Sequence, residues 1–460
     1  MKKQINYFFI VFVPFTFFSV LAVYYFSYNI KMLALYFLLF YLFVLIKSIY
    51  FFGFLSIYSI YLYTSFFFVY SRLFFDLIGF RSFLAIRMPV DFTFSDETGV
   101  VFILISFFAF YICDIVFSLN TKKELIIKCN FRHSGNLQNI GILIIIMMMP
   151  LLLYKLNMQL QFVRERGYLS IYNGELAGLS YPIWTRGSGT LLIIGYMLFL
   201  MSYPRKKIFI LVSLLYLFNS FFTSLQGARS VFLIETIVVL YLYSRFYNVK
   251  INIGGLIVLF LGIILFSIMI AYSRVNRSVD SILAINNLFY SQGNTIGVPL
   301  AIIENKDNIE YRRFPFIFSS IAEPYFSFIY GGDASLKTTL ENFNHIGRIT
   351  AHKLHAQSYF LGHGMGGSFL AEMYDFGGVF GIILWSVIFA FIISVIEKYF
   401  LFRQSLIPFF YFLIGTYIYL PRGSFFGFIN NMHYIFLLFV IFYIFEFLIF
   451  PKKLLINRIR

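Results

Sequence analysis

Of the 460 residues, 60% are hydrophobic, 22% are aromatic and only 12% are charged, about half the charged share of an ordinary soluble domain. So few charges cannot make the polar skin of a soluble enzyme, and the apolar richness equally excludes a disordered chain. The net charge of +16 is what Lys and Arg gathering on the cytoplasmic side of a polytopic membrane protein produce, so no nucleic-acid partner is needed to explain it.

A spanning helix needs about 20 mostly apolar residues. Apolar runs long enough, or nearly so, cover 6–27, 30–46, 48–70, 99–118, 138–156 and 188–203, then 208–223, 231–247, 253–273, 378–397, 405–421 and 427–450. The expected architecture is therefore an all-α polytopic integral membrane protein of about twelve transmembrane helices. The first run follows Met1-Lys2-Lys3 as a signal peptide would, but it is long and no small-residue cleavage site follows, so it reads as a retained helix. Pro14 and Pro150 are tolerable within membrane helices. The 48–70 run is separated from its predecessor only by Lys47, and it could instead lie along the surface. Counting it as a span places nearly every compact basic cluster on one side, together with both termini, and that side is the cytoplasm.

Three sizeable external segments result: 71–98, 157–187 and 274–377. The expected division is 1–273 (nine spans), 274–377 (a loop subdomain packed on the bundle) and 378–460 (three spans and a cytoplasmic tail). A connection as long as 274–377 is usually functional. It is nearly balanced in charge, with eight Lys or Arg against nine Asp or Glu, so it is no general sink for an anionic polymer. Cys113 falls in an apolar run and Cys129 in a basic loop, which argues against a disulfide framework.

External arginines work against the positive-inside tendency, and several stand at span ends: Arg229, Arg274 and Arg422, with Arg277 close by. Arg72, Arg81, Arg164 and Arg166 are also external. A guanidinium presents a planar fork that matches phosphate and keeps its charge when partly desolvated, so the set suits a lipid diphosphate. The alternative for any single one is snorkelling to headgroups. Among the acids, Glu372 precedes the tenth span, where a semi-apolar site would raise its pKa and let it take a proton from a sugar hydroxyl. Glu235 lies inside the eighth span, as a functional carboxylate or as a structural partner of a buried Arg or Tyr. Asp114, near the inner end of its helix, reads as interfacial. His352 and His355 share a helix face but lack a third ligand, so no metal is expected, and one of His352, His355 and His363 is a candidate for acid–base work. Gly362-His363-Gly364-Met365-Gly366-Gly367 mimics a dinucleotide fingerprint, but no strand precedes it and no βαβ unit contains it. Those glycines read as a tight turn or a close backbone approach to a ligand, and no cofactor is expected.

Three short motifs, in this order, carry a family resemblance: Gly227-Ala228-Arg229-Ser230 opening a span, the stretch from Gly362 through Phe369-Leu370-Ala371-Glu372-Met373-Tyr374-Asp375-Phe376-Gly377, and Pro421-Arg422-Gly423-Ser424 before the last span. With the hydropathy of most of the chain, they make it resemble the Wzy family of oligosaccharide repeat-unit polymerases, which is related to the O-antigen ligases. The resemblance implies a GT-C-like, metal-independent glycosyltransferase of the bacterial inner membrane with its active site facing the periplasm. It implies undecaprenyl-diphosphate-linked oligosaccharide as both donor and acceptor, and a separate chain-length-regulating co-polymerase as a partner. Under it Arg229, Arg274, Arg277 and Arg422 would bind the diphosphate, with Arg164 and Arg166 as alternates. Glu372 would be the base, His363 the second choice and Glu323 the third. Tyr325, Tyr330 and Tyr359 would stack on sugars or belong to the interfacial aromatic belt. An O-antigen ligase and a lipid-linked-oligosaccharide flippase are the competing readings. Nearly charge-free spans and one very long loop disfavour the flippase.

Overall fold

The computed structural model describes residues 29–87, 91–121, 133–167, 179–226, 229–249, 292–305, 308–330, 336–400, 404–432 and 434–438, with 13–14, 16–22, 24–25 and a few isolated positions besides. Arg229 is described by its backbone alone. The expected spans at 6–27, 253–273 and 427–450 fall wholly or largely outside these residues. Within them, seven helices are long and apolar enough to cross a membrane.

The first helix in the bundle core, α1 (Ile30–Phe52), runs through Lys47 without a break. The chain turns instead at Gly53, whose φ of 95° favours glycine. The boundary drawn at Lys47 is therefore corrected, because Lys47 is only 5% exposed and its ammonium is paired with the Asp114 carboxylate. Asp114 itself is fully buried, not interfacial as its position near a helix end suggested. A residue that leaves its helix surface towards a buried counter-charge has no need to mark a helix end.

Ser56 starts the next helical run, its hydroxyl accepting from Ser59 N at 3.1 Å. The run comprises α2 (Ile57–Ser65), a π-helical segment (Phe66–Tyr70) and α3 (Ser71–Leu77). Its α2 part is buried almost all round, so the 48–70 region lies within the bundle rather than along its surface. Directly after the π segment, Arg72 is 1% exposed. Its guanidinium donates to the carbonyls of Tyr290 and Ala85, both at 3.0 Å, and to the Asn294 side chain, while lying 3.8 Å from the Tyr290 ring centroid. Arg72 is thus a structural rivet between α3, a small hairpin and the 289–296 segment. The hairpin is the one departure from all-α structure among the described residues: β1 (Ala85–Arg87) pairs antiparallel with β2 (Asp91–Thr93), with Ile86 opposite Phe92.

The long helices follow. They are α4 (Asp96–Asn120), α5 (Gly135–Arg166), α6 (Ser188–Met201), α7 (Lys206–Leu225) and α8 (Arg229–Tyr247). Ser95 caps α4, accepting from Thr98 N at 3.3 Å, and Asp96 and Glu97 occupy the first turn, where acids suit the helix dipole. Helix α5 continues ten residues past the expected end of its span, so the first ten residues of the anticipated 157–187 loop are helix. Helices α5 and α6 form a close pair because Gly141 and Gly195 let the backbones touch. A Cβ at Gly141 would come 2.7 Å from both Gly195 O and Phe199 N. Gly141→Ala is therefore expected to destabilise by about 1–3 kcal/mol through overpacking, read as a lower melting temperature in detergent. Gly135→Ala, in open space on the same helix, is the matched control and should be close to neutral.

The later chain builds a set of short helices on the bundle: α9 (Gly297–Glu304), α10 (Ser319–Tyr330), α11 (Leu336–Asn342), α12 (Ile346–Leu354), α13 (Ala356–Phe360) and α14 (Phe369–Gly377). Helix α9 packs against α4 and α14. The Glu304 side chain accepts from Ser95 N at 3.2 Å and Thr98 Oγ1 at 3.1 Å, tying α9 to the start of α4. Gly378, with φ 60°, turns the chain into the long α15 (Val379–Tyr399), and α16 (Ile407–Tyr419) follows. A 3₁₀ turn extends α16 to Arg422, where Pro421 and Gly423 end it.

Candidate active site

Helix α14 is pinned by its two acids, three residues apart and so on one face. Asp375 pairs with Arg312 Nε at 3.0 Å and accepts from Phe316 N at 2.9 Å. Glu372, 1% exposed, accepts from Phe425 N at 3.0 Å. The chain that follows α16, from Pro421 to Phe425, is therefore drawn across the start of α14.

The glycine-rich stretch closes the other side. Gly367 N donates to Arg422 O at 3.1 Å, and a Cβ at Gly366 would lie 3.2 Å from the Arg422 side chain. Gly347 of α12 is packed still more tightly on the Gly366 carbonyl. The close backbone approach these glycines make is to α12 and Arg422. Arg422 donates through Nη1 to the Gln292 side chain at 3.1 Å and lies 5.8 Å from the Phe68 ring centroid. It has no carboxylate partner among the described residues, so its charge is free to meet an anion.

Between these elements is a cavity of about 240 Å³, lined by Ser319, Ser320 and Glu323 of α10, by Asn344, His345 and Ile346, and by Gly366, Gly367, Glu372, Tyr419 and Arg422–Ser424. Burial raises the Glu372 carboxyl to about 8, with the Phe425 amide and the Ser424 hydroxyl opposing and Asp375 adding in the same direction. At neutral pH this acid mostly holds a proton. Glu323 accepts from Asn430 Nδ2 at 2.9 Å at the rim.

A second cavity of about 430 Å³ adjoins the first through Tyr419, Gly423 and Ser424, which line both. It is bounded by Ser230, Glu235, Tyr411, Thr416 and Asn431 together with apolar residues of α6, α8 and α16. The Tyr411 hydroxyl donates to Glu235, and Tyr411 is 3.3 Å from the Tyr216 hydroxyl. Of the two roles open to Glu235, the tyrosine partnership is the one observed.

The structure brings Glu372, Arg422 and Glu323 together. Arg229 opens α8 one residue before the cavity-lining Ser230. Arg164 and Arg166 are exposed in the last turn of α5 and line neither cavity, and Arg274 and Arg277 lie outside the described residues. His363 follows α13 in a turn and lines neither cavity, and burial lowers its pKa. His355 caps α13, its Nδ1 accepting from Ser358 N at 3.0 Å. The His352 ring packs edge-on against Tyr311, Tyr359 and Phe360. Tyr359, expected to be exposed, is 2% exposed with its hydroxyl on Leu336 O at 2.8 Å, so it is unavailable to a sugar, whereas Tyr325 is 63% exposed. The side chain of Tyr330 is outside the described residues. The histidine that does reach the cavity is His345, which sequence reasoning passed over because it follows a loop with no motif of its own. Among the described residues no three His, Cys, Asp or Glu side chains are placed to hold a metal ion.

The comparisons bear on these motifs directly. The family profile for O-antigen polysaccharide polymerase Wzy matches residues 5–454, nearly the whole chain, and the three motifs fall inside that match. No curated protein and no solved structure matches. A near-complete family match, with seven helices of spanning length and composition, is sufficient: the chain belongs to the Wzy family of O-antigen polysaccharide polymerases.

Proposed function

We propose that the chain is a GT-C-like glycosyltransferase that polymerises undecaprenyl-diphosphate-linked oligosaccharide repeat units at the periplasmic face of the inner membrane. It has about twelve spans, both termini are cytoplasmic, and a chain-length-regulating co-polymerase acts with it. The observation that carries this reading is the pairing of a buried, proton-holding carboxyl with an acid-free guanidinium in one cavity: Glu372 and Arg422. In the reaction, an acceptor sugar hydroxyl attacks the anomeric carbon of the donor. The bond from that carbon to the phosphate oxygen breaks, and its electron pair leaves on the diphosphate. Arg422 stabilises the charge that develops there, with Arg229, Arg274 and Arg277 as further diphosphate ligands and Arg164 and Arg166 as alternates. Glu372, in its ionised form, takes the hydroxyl proton, and His363 is the alternate base. The transition state is oxocarbenium-like, as in glycoside hydrolysis.

The glycan ladder tests it. Cells carrying Arg422→Ala should show lipid core capped with a single repeat unit, with turnover down by about 10²-fold, the scale of one lost charge-stabilising donor. Arg422→Lys should recover only part, since a point charge lacks the planar fork. A full-length ladder at normal protein level in Arg422→Ala cells would overturn the diphosphate role. Loss of all capped core with accumulation of long lipid-linked polymer would point to a ligase instead.

A further inference from the structure

One buried polar atom in the Glu372 cavity, His345 Nδ1, has no hydrogen-bond partner among the described residues, and across the cavity the Ser424 hydroxyl faces the Glu372 carboxyl. A buried polar atom left unpaired is costly, so one on the wall of a small cavity requires an explanation. His345 and Ser424 come from opposite walls. His345 ends the stretch between α11 and α12, and its place is set by the neighbouring Asn344, whose side chain accepts from Arg313 N at 3.0 Å and donates to Phe314 O at 2.9 Å. Ser424 belongs to the strap after α16, one residue before the Phe425 amide that binds Glu372. His345 Nδ1 is therefore held in place without being satisfied, and Ser424 is held beside the carboxyl it faces.

The chemistry of the walls selects the ligand. An anion resting at this end of the cavity would meet Glu323. A cation would meet Arg422, which lines the cavity, and Arg348, whose charge acts on His345. A neutral group is favoured. Burial first, and Arg348 second, hold the His345 imidazole in its uncharged form, so one ring nitrogen can accept while the other donates. A serine hydroxyl can also do either. Neighbouring hydroxyls on a sugar ring offer the same mixture of donors and acceptors. A volume of about 240 Å³ lies below that of drug-sized pockets and has room for one monosaccharide ring.

We infer that His345 and Ser424 are positioning residues that hold the terminal sugar of the acceptor by hydroxyls next to the one that reacts, and so present that hydroxyl to Glu372. The inference rests on the polymerase reading above. It assigns the His345–Ser424 end of the cavity to a neutral acceptor sugar and the Arg422 side to the donor's diphosphate. Neither residue takes the proton.

Purified full-length protein in liposomes, supplied with lipid-linked repeat units extracted from cells lacking this chain, separates the cases. His345→Phe and Ser424→Ala should each raise KM about 5- to 10-fold, the worth of one neutral hydrogen bond, with kcat changed far less. The pH inflection assigned to Glu372 should stay where it is in His345→Phe, whereas Ser424→Ala, which removes a hydroxyl that lowers that carboxyl, should move it upward. His345→Asn, whose amide can replace the ring's hydrogen bond, should restore most of the affinity. Unchanged KM in both Ser424→Ala and His345→Phe overturns the inference. So does a collapse of kcat with a displaced pH inflection in His345→Phe, which would make His345 part of the proton transfer. If His345→Phe lowers the melting temperature in detergent, Ser424→Ala, which removes a single atom, decides alone. Failure of the wild-type protein to extend the extracted substrate would instead refute the polymerase reading, and that result is distinguishable from either outcome above.

Discussion

Replacing Glu372 by Gln should abolish polymer formation, lowering turnover by about 10²- to 10⁴-fold, the usual contribution of a positioned base. The substitution is nearly isosteric and keeps an acceptor oxygen for the Phe425 amide, so the strap across α14 should survive. Two pH readouts separate this role from a structural one. Because burial raises the carboxyl to about 8, the free wild-type enzyme should gain kcat/KM as pH rises through that value. A flat profile between pH 6 and 9, with Glu372→Gln fully active, would remove Glu372 from the chemistry. Stability should move the other way. The folded-state value lies above the ordinary 4.5, so between those two values the folded protein holds a proton that the unfolded chain has already released. The stabilising contribution of the protonated group is complete below about 4.5 and is lost as pH rises through about 8. Glu372→Gln never ionises, so its melting temperature relative to wild type should climb between pH 6 and 9. A variant that is inactive yet more stable at alkaline pH is hard to explain by misfolding.

Glu372 and Arg422 stand out in the sequence because each lies in a short motif beside an apolar run, where a charge is costly enough to demand a reason. Seven of the twelve expected spans were legible for the simpler reason that apolar length is a one-dimensional property. Other features depend on which surfaces meet. The break at Gly53 and the unbroken helix through Lys47 follow from a partner carried on another helix, and nothing local to Lys47 announces it. Arg72 carries the same fork of donors as Arg422, but three neutral oxygens and a tyrosine ring already use it, so its external position misled. His345 was invisible for the opposite reason. Its interest lies in a missing partner, which becomes apparent only when the cavity walls are in place. Sequence reasoning placed the acid–base histidine among His352, His355 and His363. Two of those are occupied, one with packing and one with a helix cap, and His363 stands outside both cavities.

At the end of the bundle away from the cavities, breaking the Lys47–Asp114 pair should be the most destabilising single change in the spans. The two side chains are 4% and 0% exposed, and they tie α1 to α4. Lys47→Met would leave a carboxylate buried without its counter-charge, and Asp114 Oδ1 already lacks a hydrogen-bond partner. Removing one member of a buried pair costs roughly 3–5 kcal/mol. The Asp114→Leu variant, which leaves a buried ammonium facing an apolar side chain, should fall in the same direction. The informative variant is the double replacement, Lys47→Met with Asp114→Leu. It removes both charges and fills their volume with apolar groups, so it should regain most or all of the lost stability. Melting temperatures of the four proteins in one detergent complete the cycle. Additive losses in the double variant would mean that the two residues do not act as a pair. The Arg245–Glu397 contact provides an internal comparison. Glu397 also accepts from Ile57 N, so that carboxylate keeps one partner when the arginine is removed. Arg245→Met should therefore cost less than Lys47→Met, and polymer length at permissive temperature should be unchanged in both, since neither residue lines a cavity.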